Sequence, residues 1–307
     1  MSMLSQNKTL KSIEEVALHV ILLCQVGVGT VANFLLFIHN FSVILTNCQL
    51  TPIQVIVTNL AVASAFNLLL LAFPNNVTLF VPRKAPSDLS CKLWYFICLV
   101  ARSTNLSSTC VLSTYQFVML LPGNWSRVIL KGRAPKIVNY SCYGCWIFSV
   151  LNNAYIPVKV SGPQKTQNDT DFKDKWVCST SGFSVGMSFL RFAHDALFIS
   201  IMIWTNVSMV ILLNRHHHRL QHIHSSNQDH RAYADTRAAH TILMLVVTFL
   251  SFYLLDCICT FFHISFVDSR LLLRRIKEVL TASFPTISPF LLIFRGPKNP
   301  CSLLSRS

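Results

Sequence analysis

Along the chain, apolar residues gather into seven long blocks separated by short polar stretches. A helix rises about 1.5 Å per residue, so crossing a hydrocarbon layer about 30 Å thick takes roughly 20 apolar residues. Blocks near 16–39, 52–74, 91–120, 136–157, 187–213, 238–263 and 276–295 meet that length. The pattern predicts an all-α membrane protein, a seven-transmembrane helix bundle forming a single domain over 1–307 with a short tail at 296–307. Prolines punctuate it: the second block opens at Pro52 and closes at Pro74, and the fourth ends at Pro157. The seventh has the shortest apolar run, with Lys277 and Glu278 at its start and Pro285 and Pro289 inside it.

Composition strengthens this picture. Of 307 residues, 52% are hydrophobic and 12% charged, about half the charge of a soluble domain. The first fifteen residues are polar, and no small-residue cleavage site follows a short apolar core, so the first span is expected to act as its own insertion signal. Seven spans put the two termini on opposite sides. The formal charge of +14 is spread over loops on both faces, so the excess of Lys and Arg that usually marks the inner side does not orient the bundle. Acidic lipid contact suits the inner basic residues. Nucleic acid is not an expected partner, because no soluble domain carries the charge.

Cysteines give a sharper orientation signal. Of eleven, Cys24, Cys98, Cys110, Cys142, Cys145, Cys257 and Cys259 fall inside spans, where a thiol is a small buried side chain. The Cys142-x-x-Cys145 pair has no second ligand pair, so zinc is rejected. Cys91 opens the third span and Cys178 lies in the long loop after the fourth. Both fall on one face, and a bridge between them requires an oxidising compartment. That pairing places the N-terminus outside, with Asn168 of the Asn-Asp-Thr sequon in the same exposed loop as the expected glycan acceptor.

Ionisable groups at membrane depth are costly and turn toward the bundle interior. Arg102 lies eleven residues past Cys91, roughly 16 Å down the third span. His194 and Asp195 lie in the fifth span, where Arg191 and Asp195 are spaced for a local pair, and Asp256 lies in the sixth. Together they outline a polar cavity lined by spans three, five and six, or a set of structural pairs, and the two readings are compatible. Phe252 belongs to an aromatic cluster near the outer half of spans five and six. Asn33, Asn59 and Asn67 are expected to bond between helices. The histidines from His216 to His230 read as a solvated, weakly basic run rather than a metal site.

Every segment outside the spans is under about 30 residues, and no nucleophile–base pair, phosphate loop or metalloprotease motif is present, so an enzyme is not expected. A transporter would show internal repeats, and none is convincing. A receptor that binds outside and signals inside remains.

The third span reads ARSTNLSSTCVLSTYQFVMLLP, the fourth with its preceding loop KGRAPKIVNYSCYGCWIFSVLNN, the sixth RAAHTILMLVVTFLSFY and the seventh FPTISPFLLIF. Taken together, these runs resemble the vomeronasal type 1 receptor family of seven-helix, rhodopsin-like G-protein-coupled receptors. Where rhodopsin-like receptors usually carry Asp-Arg-Tyr and Asn-Pro-x-x-Tyr, this chain has Thr114-Tyr115-Gln116 and Ser288-Pro289-Phe290, departures usual in that family. Ser103-Thr104-Asn105 stands where the family commonly has Gly after the Arg, making the pocket floor more polar. Bitter-taste receptors are the nearest alternative, and their motifs fit less well. The resemblance implies a plasma-membrane pheromone receptor without a cofactor. A small organic ligand would contact Arg102, Asn105, His194, Asp195, Phe252 and Asp256. An inhibitory-type heterotrimeric G protein would meet Arg127, Lys131, Arg215, Arg219 and Arg237, residues that otherwise anchor to lipid headgroups.

The expected orientation has a direct test. Glycosidase treatment of surface-expressed protein should sharpen and speed its gel band, and Asn168→Gln should abolish that shift. A wild-type chain with no glycan would contradict a lumenal second outer loop.

Overall fold

The computed structural model describes residues 2–45, 51–80, 87–121, 133–161, 185–220, 229–265 and 270–293. Eight helices lie in them: α1 (Ser2–Leu45), α2 (Pro52–Phe80), α3 (Asp88–Leu120), α4 (Ala134–Asn153), the one-turn α5 (Ile156–Lys159), α6 (Val185–Leu220), α7 (Asp229–Ser265) and α8 (Arg270–Ile293). The seven long helices form a transmembrane bundle. By length and composition, five stretches among the described residues are apolar enough to cross a membrane alone: Val16–Ser42, Pro52–Leu71, Phe189–Arg215, His240–Cys259 and Arg275–Ile293. α3 and α4 are less apolar. The polar content of α3 is concentrated on buried positions, among them Ser103, Thr104, Asn105, Ser107, Ser108 and Thr109.

The packing explains that polarity. α3 touches α2, α4, α5, α6 and α7, so it runs through the middle of the bundle. α1 packs on α2 and α8, and α8 on α1, α2 and α7. A central helix meets protein on nearly all sides, so its polar groups find partners on neighbours instead of facing lipid. The outer helices show the reverse pattern. Tyr143, Ile147 and Leu151 on α4, and Phe192 and Trp204 on α6, are exposed apolar side chains suited to lipid contact. The largest apolar core joins Ile56, Leu60, Leu112, Met202, Met209, Leu245 and Phe249 from α2, α3, α6 and α7.

Several helix ends differ from those the sequence predicts. α4 stops at Asn153, short of the expected Pro157. Pro157 has no N–H to bond the Asn153 carbonyl, so the helix closes one turn earlier and restarts as α5. α2 continues past Pro74 to Phe80 instead of ending there. α3 begins at Asp88, capped by Ser87, whose hydroxyl accepts from the Ser90 N–H at 3.2 Å. α1, α6 and α7 overrun their apolar blocks at both ends, since polar turns continue a helix into the headgroup region.

Two close couplings hold α8. Pro289 lacks the N–H that would bond the Pro285 carbonyl. Asn33 of α1 supplies a donor instead, its Nδ2 lying 2.8 Å from that carbonyl and 2.8 Å from the Gly29 carbonyl of its own helix. One turn away Gly29 lets the helices touch: a Cβ there would meet Leu68 Cδ1 at 2.7 Å and Thr286 Oγ1 at 2.8 Å. Thr286 in turn donates to the Gln25 carbonyl at 3.1 Å, and Gln25 Nε2 to Ser283 at 3.1 Å. On the opposite side, Trp146 Nε1 donates to Asn59 Oδ1 at 2.7 Å and Asn59 Nδ2 to Ser108 at 2.8 Å, tying α4, α2 and α3.

Asn33→Ala should cost about 1–3 kcal/mol by leaving the Pro285 carbonyl buried without a donor. Gly29→Val should destabilise further by prying α1 from α2 and α8. Thermal unfolding of the detergent-purified protein reads both, and unfolding temperatures equal to wild type would refute the coupling.

Candidate functional site

Arg102 sits midway along α3, where its neighbours across the bundle are α7 and α8. Its Nη2 donates to Asp256 Oδ2 of α7 at 3.2 Å. The Asp256 side chain is only 9% exposed, so the pair compensates two charges that neither lipid nor core would tolerate singly. Thr281 of α8 donates its hydroxyl to the other oxygen, Asp256 Oδ1, at 3.4 Å. One carboxylate thereby receives donors from α3 and α8. The guanidinium also lies over the ring of Tyr253, with Cζ 5.6 Å from its centroid, within the range of a cation–π contact.

Tyr253 carries the network to α6. Its hydroxyl donates to Asp195 Oδ2 at 2.8 Å, while Asp195 Oδ1 lies 2.9 Å from His194 Nδ1. The expected Arg191–Asp195 contact is absent among the described residues, and Asp195 bonds Tyr253 and His194 instead. The His194 ring is packed between aromatics, stacked on Phe148 at 5.3 Å and edge-on to Phe198 at 5.0 Å. Its Nε2 is buried and has no hydrogen-bond partner among the described residues.

A cavity of about 50 Å³ opens beside the Arg102–Asp256 pair. That volume accommodates roughly three to five waters. Its polar wall is Asn67, Arg102, Asn105, Asp256 and Thr281, and its apolar wall includes Leu106, Phe249, Phe252, Tyr253 and Phe284. Phe249 and Phe284 meet edge to face at 4.7 Å, joining α7 and α8 at one side of the space. Asn105 is fixed by Ser64 of α2, whose hydroxyl lies 3.5 Å from Asn105 Oδ1. Asn153 braces the same stretch of α3 from outside, donating to Ser103 Oγ at 3.2 Å.

Four of the six residues expected to contact a ligand, Arg102, Asn105, Phe252 and Asp256, line this cavity together. His194 and Asp195 do not line it, and they reach it through Tyr253. The sequence reading placed the cavity among spans three, five and six. Its third wall is instead α8, with Leu280, Thr281, Phe284 and Pro285, and α2 contributes Asn67. Thr281 and Phe284 have no signature of their own in an apolar run. The one signal available was the proline pair, which marks α8 as irregular there.

Cys91 is buried at the start of α3 and is disulfide-bonded, while Cys178 and Asn168 lie outside the described residues. Arg127 and Lys131 also lie outside them. Arg215 is exposed near the end of α6, whereas Arg219 and Arg237 belong to α6 and α7 with side chains outside the described set. Among the described residues, no group of three or more His, Cys, Asp or Glu is gathered to hold a metal.

Comparison with known proteins gives the family. Residues 16–300 match the profile of the vomeronasal organ pheromone receptor family. The chain is 34% identical to vomeronasal type-1 receptor 4 of Pongo pygmaeus over 282 residues, covering 90% of this chain and 93% of the relative. It is 33% identical to the receptor of the same name from Homo sapiens with the same coverage. It is 30% identical to vomeronasal type-1 receptor 1 of Gorilla gorilla gorilla over 88% of this chain and 78% of that one. A seven-helix bundle with this match across nearly its whole length belongs to the vomeronasal organ pheromone receptor family.

Proposed function

We propose that the chain is a plasma-membrane pheromone receptor with its N-terminus outside, which takes a small organic ligand in the cavity beside Arg102 and signals through an inhibitory-type G protein. The observation that carries this reading is the convergence of Arg102, Asn105, Phe252 and Asp256 on one cavity between α3, α7 and α8. Family membership supports the receptor class. A ligand shifts a receptor only by binding one arrangement of helices better than another. The Arg102–Asp256 pair is placed for that role, because it joins α3 to α7 through one 3.2 Å contact beside the cavity. A ligand group that competes for the guanidinium would loosen α7 from α3, and movement of these helices would reach their inner ends.

Arg127, Lys131, Arg215, Arg219 and Arg237 are assigned to the G-protein face on this reading. A bridge from Cys91 to Cys178 would fasten the second outer loop to the top of α3, above the cavity. His194 and Asp195 act from behind, since their link to Arg102 runs through Tyr253.

Reporter cells carrying a chimeric G protein and a panel of small volatile organic compounds test the proposal. Arg102→Ala, matched to wild type for surface expression, should weaken responses at least tenfold in EC50, and Asp256→Asn should weaken them less. Removing one partner of a buried pair costs about 3–5 kcal/mol, so the exchange Arg102→Asp with Asp256→Arg should recover folding that Arg102→Asp alone loses. Undiminished responses in Arg102→Ala across the active ligands would remove Arg102 from the site.

A further inference from the structure

α8 contains two prolines four residues apart, Pro285 and Pro289. A proline in a helix has no N–H, so each releases the carbonyl four residues before it. The two released carbonyls belong to Pro285 and Thr281. Buried in a membrane, such a group must find another donor from a neighbouring helix, a side chain or water. The first has done so: Asn33 Nδ2 of α1 reaches the Pro285 carbonyl at 2.8 Å. The second meets no side-chain donor among the described residues. The Thr281 hydroxyl is turned instead to Asp256 Oδ1 at 3.4 Å. Both Thr281 and Pro285 line the cavity.

We propose that the Thr281 carbonyl released by Pro285 is the hydrogen-bond acceptor with which the cavity reads its ligand, and that with Arg102 as the facing donor it selects a compact apolar alcohol. The inference rests on reading this cavity as the ligand site. Arg102 and Thr281 stand on the two oxygens of one carboxylate, Arg102 Nη2 at 3.2 Å from Oδ2 and Thr281 Oγ1 at 3.4 Å from Oδ1. They are therefore neighbours at one end of the space. The guanidinium makes a single contact with Asp256 and carries five N–H donors, so donors remain for a ligand oxygen. A hydroxyl satisfies both sides at once: its oxygen accepts from Arg102 and its hydrogen goes to the Thr281 carbonyl. A ketone or an ether accepts from Arg102 but leaves the carbonyl unpaired. A carboxylate likewise has no hydrogen to give, and an ammonium ion is repelled by the guanidinium. The rest of the wall, with Leu106, Phe249, Phe252 and Phe284, suits a hydrocarbon body.

The full-length receptor in lipid nanodiscs, labelled with carbonyl-¹³C threonine, allows a test that does not depend on signalling. Infrared spectra, read as differences because all nineteen threonines carry the label, should contain a high-frequency band from an amide carbonyl that no donor has bonded. 2-Propanol should move that band to lower frequency, and its ether isomer methoxyethane, which cannot donate, should leave it in place. Pro285→Ala restores the N–H and should abolish both the band and its response to the alcohol. Pro289→Ala should leave both intact, because the carbonyl it recaptures belongs to Pro285 and is already bonded to Asn33. Should Pro285→Ala fail to fold, Leu106→Phe on α3 fills the cavity and leaves both prolines of α8 in place; it should keep the band and lose the alcohol shift. A band that persists in folded Pro285→Ala, an alcohol shift that survives Leu106→Phe, or equal responses to alcohol and ether would overturn the proposal. Failure of the receptor to couple to a G protein would sink the signalling reading and leave these spectra unchanged.

Discussion

A polar group in the interior of this bundle has no bulk water to turn to, and its partner must come from another helix. That constraint organises the structure. It places α3 at the centre, since its many buried hydroxyls and amides could not face lipid. It draws Asn59 and Trp146 into a three-helix bridge with Ser108. It sends Asn33 across to the carbonyl that Pro289 leaves open. These are modest bonds individually, on the order of 0.6–2 kcal/mol each. Their effect is to fix which helix faces which, and apolar surfaces against lipid tails do not choose a rotation by themselves.

The Arg102–Asp256 pair is the same constraint in charged form. Neither group can be left alone at depth, so α3 and α7 are held together wherever no other partner is offered. The linkage continues through the Tyr253 ring and hydroxyl to Asp195 and His194 on α6, and through Thr281 to α8. Four helices thus share one connected polar system around a space with one polar wall and one wall of Phe, Leu and Tyr. A site of this kind is structural and receptive at once, because the bonds that hold the helices are the ones a ligand can exchange.

α8 shows how irregularity becomes useful. Two prolines would be costly in a soluble helix interior, at about 3 kcal/mol each. In a packed bundle neighbours compensate the lost bonds. One released carbonyl fastens α8 to α1, and the other belongs to Thr281, a residue that lines the cavity. Gly29 serves the first of these, since its missing side chain gives Leu68 and Thr286 the room to close on α1.

Local chemistry was enough to reveal the seven long helices and to single out Arg102, because burial in hydrocarbon demands long apolar runs and makes each interior charge conspicuous. It also marked Asp256 as an interior charge of the sixth span. Helix ends were less legible: Pro157 ended α4 a full turn early by withholding a donor from Asn153, while α2 ran on through Pro74. Only the tertiary structure decided the partners. Asp195 has Arg191 one turn away on its own helix, yet it bonds His194 and Tyr253, because side-chain direction and helix rotation are set by packing across the bundle. The same reason hid the α8 wall. Thr281 and Phe284 are unremarkable residues in sequence, and their place at the cavity follows from how α8 turns against α7 and α2, which no spacing along one chain segment encodes.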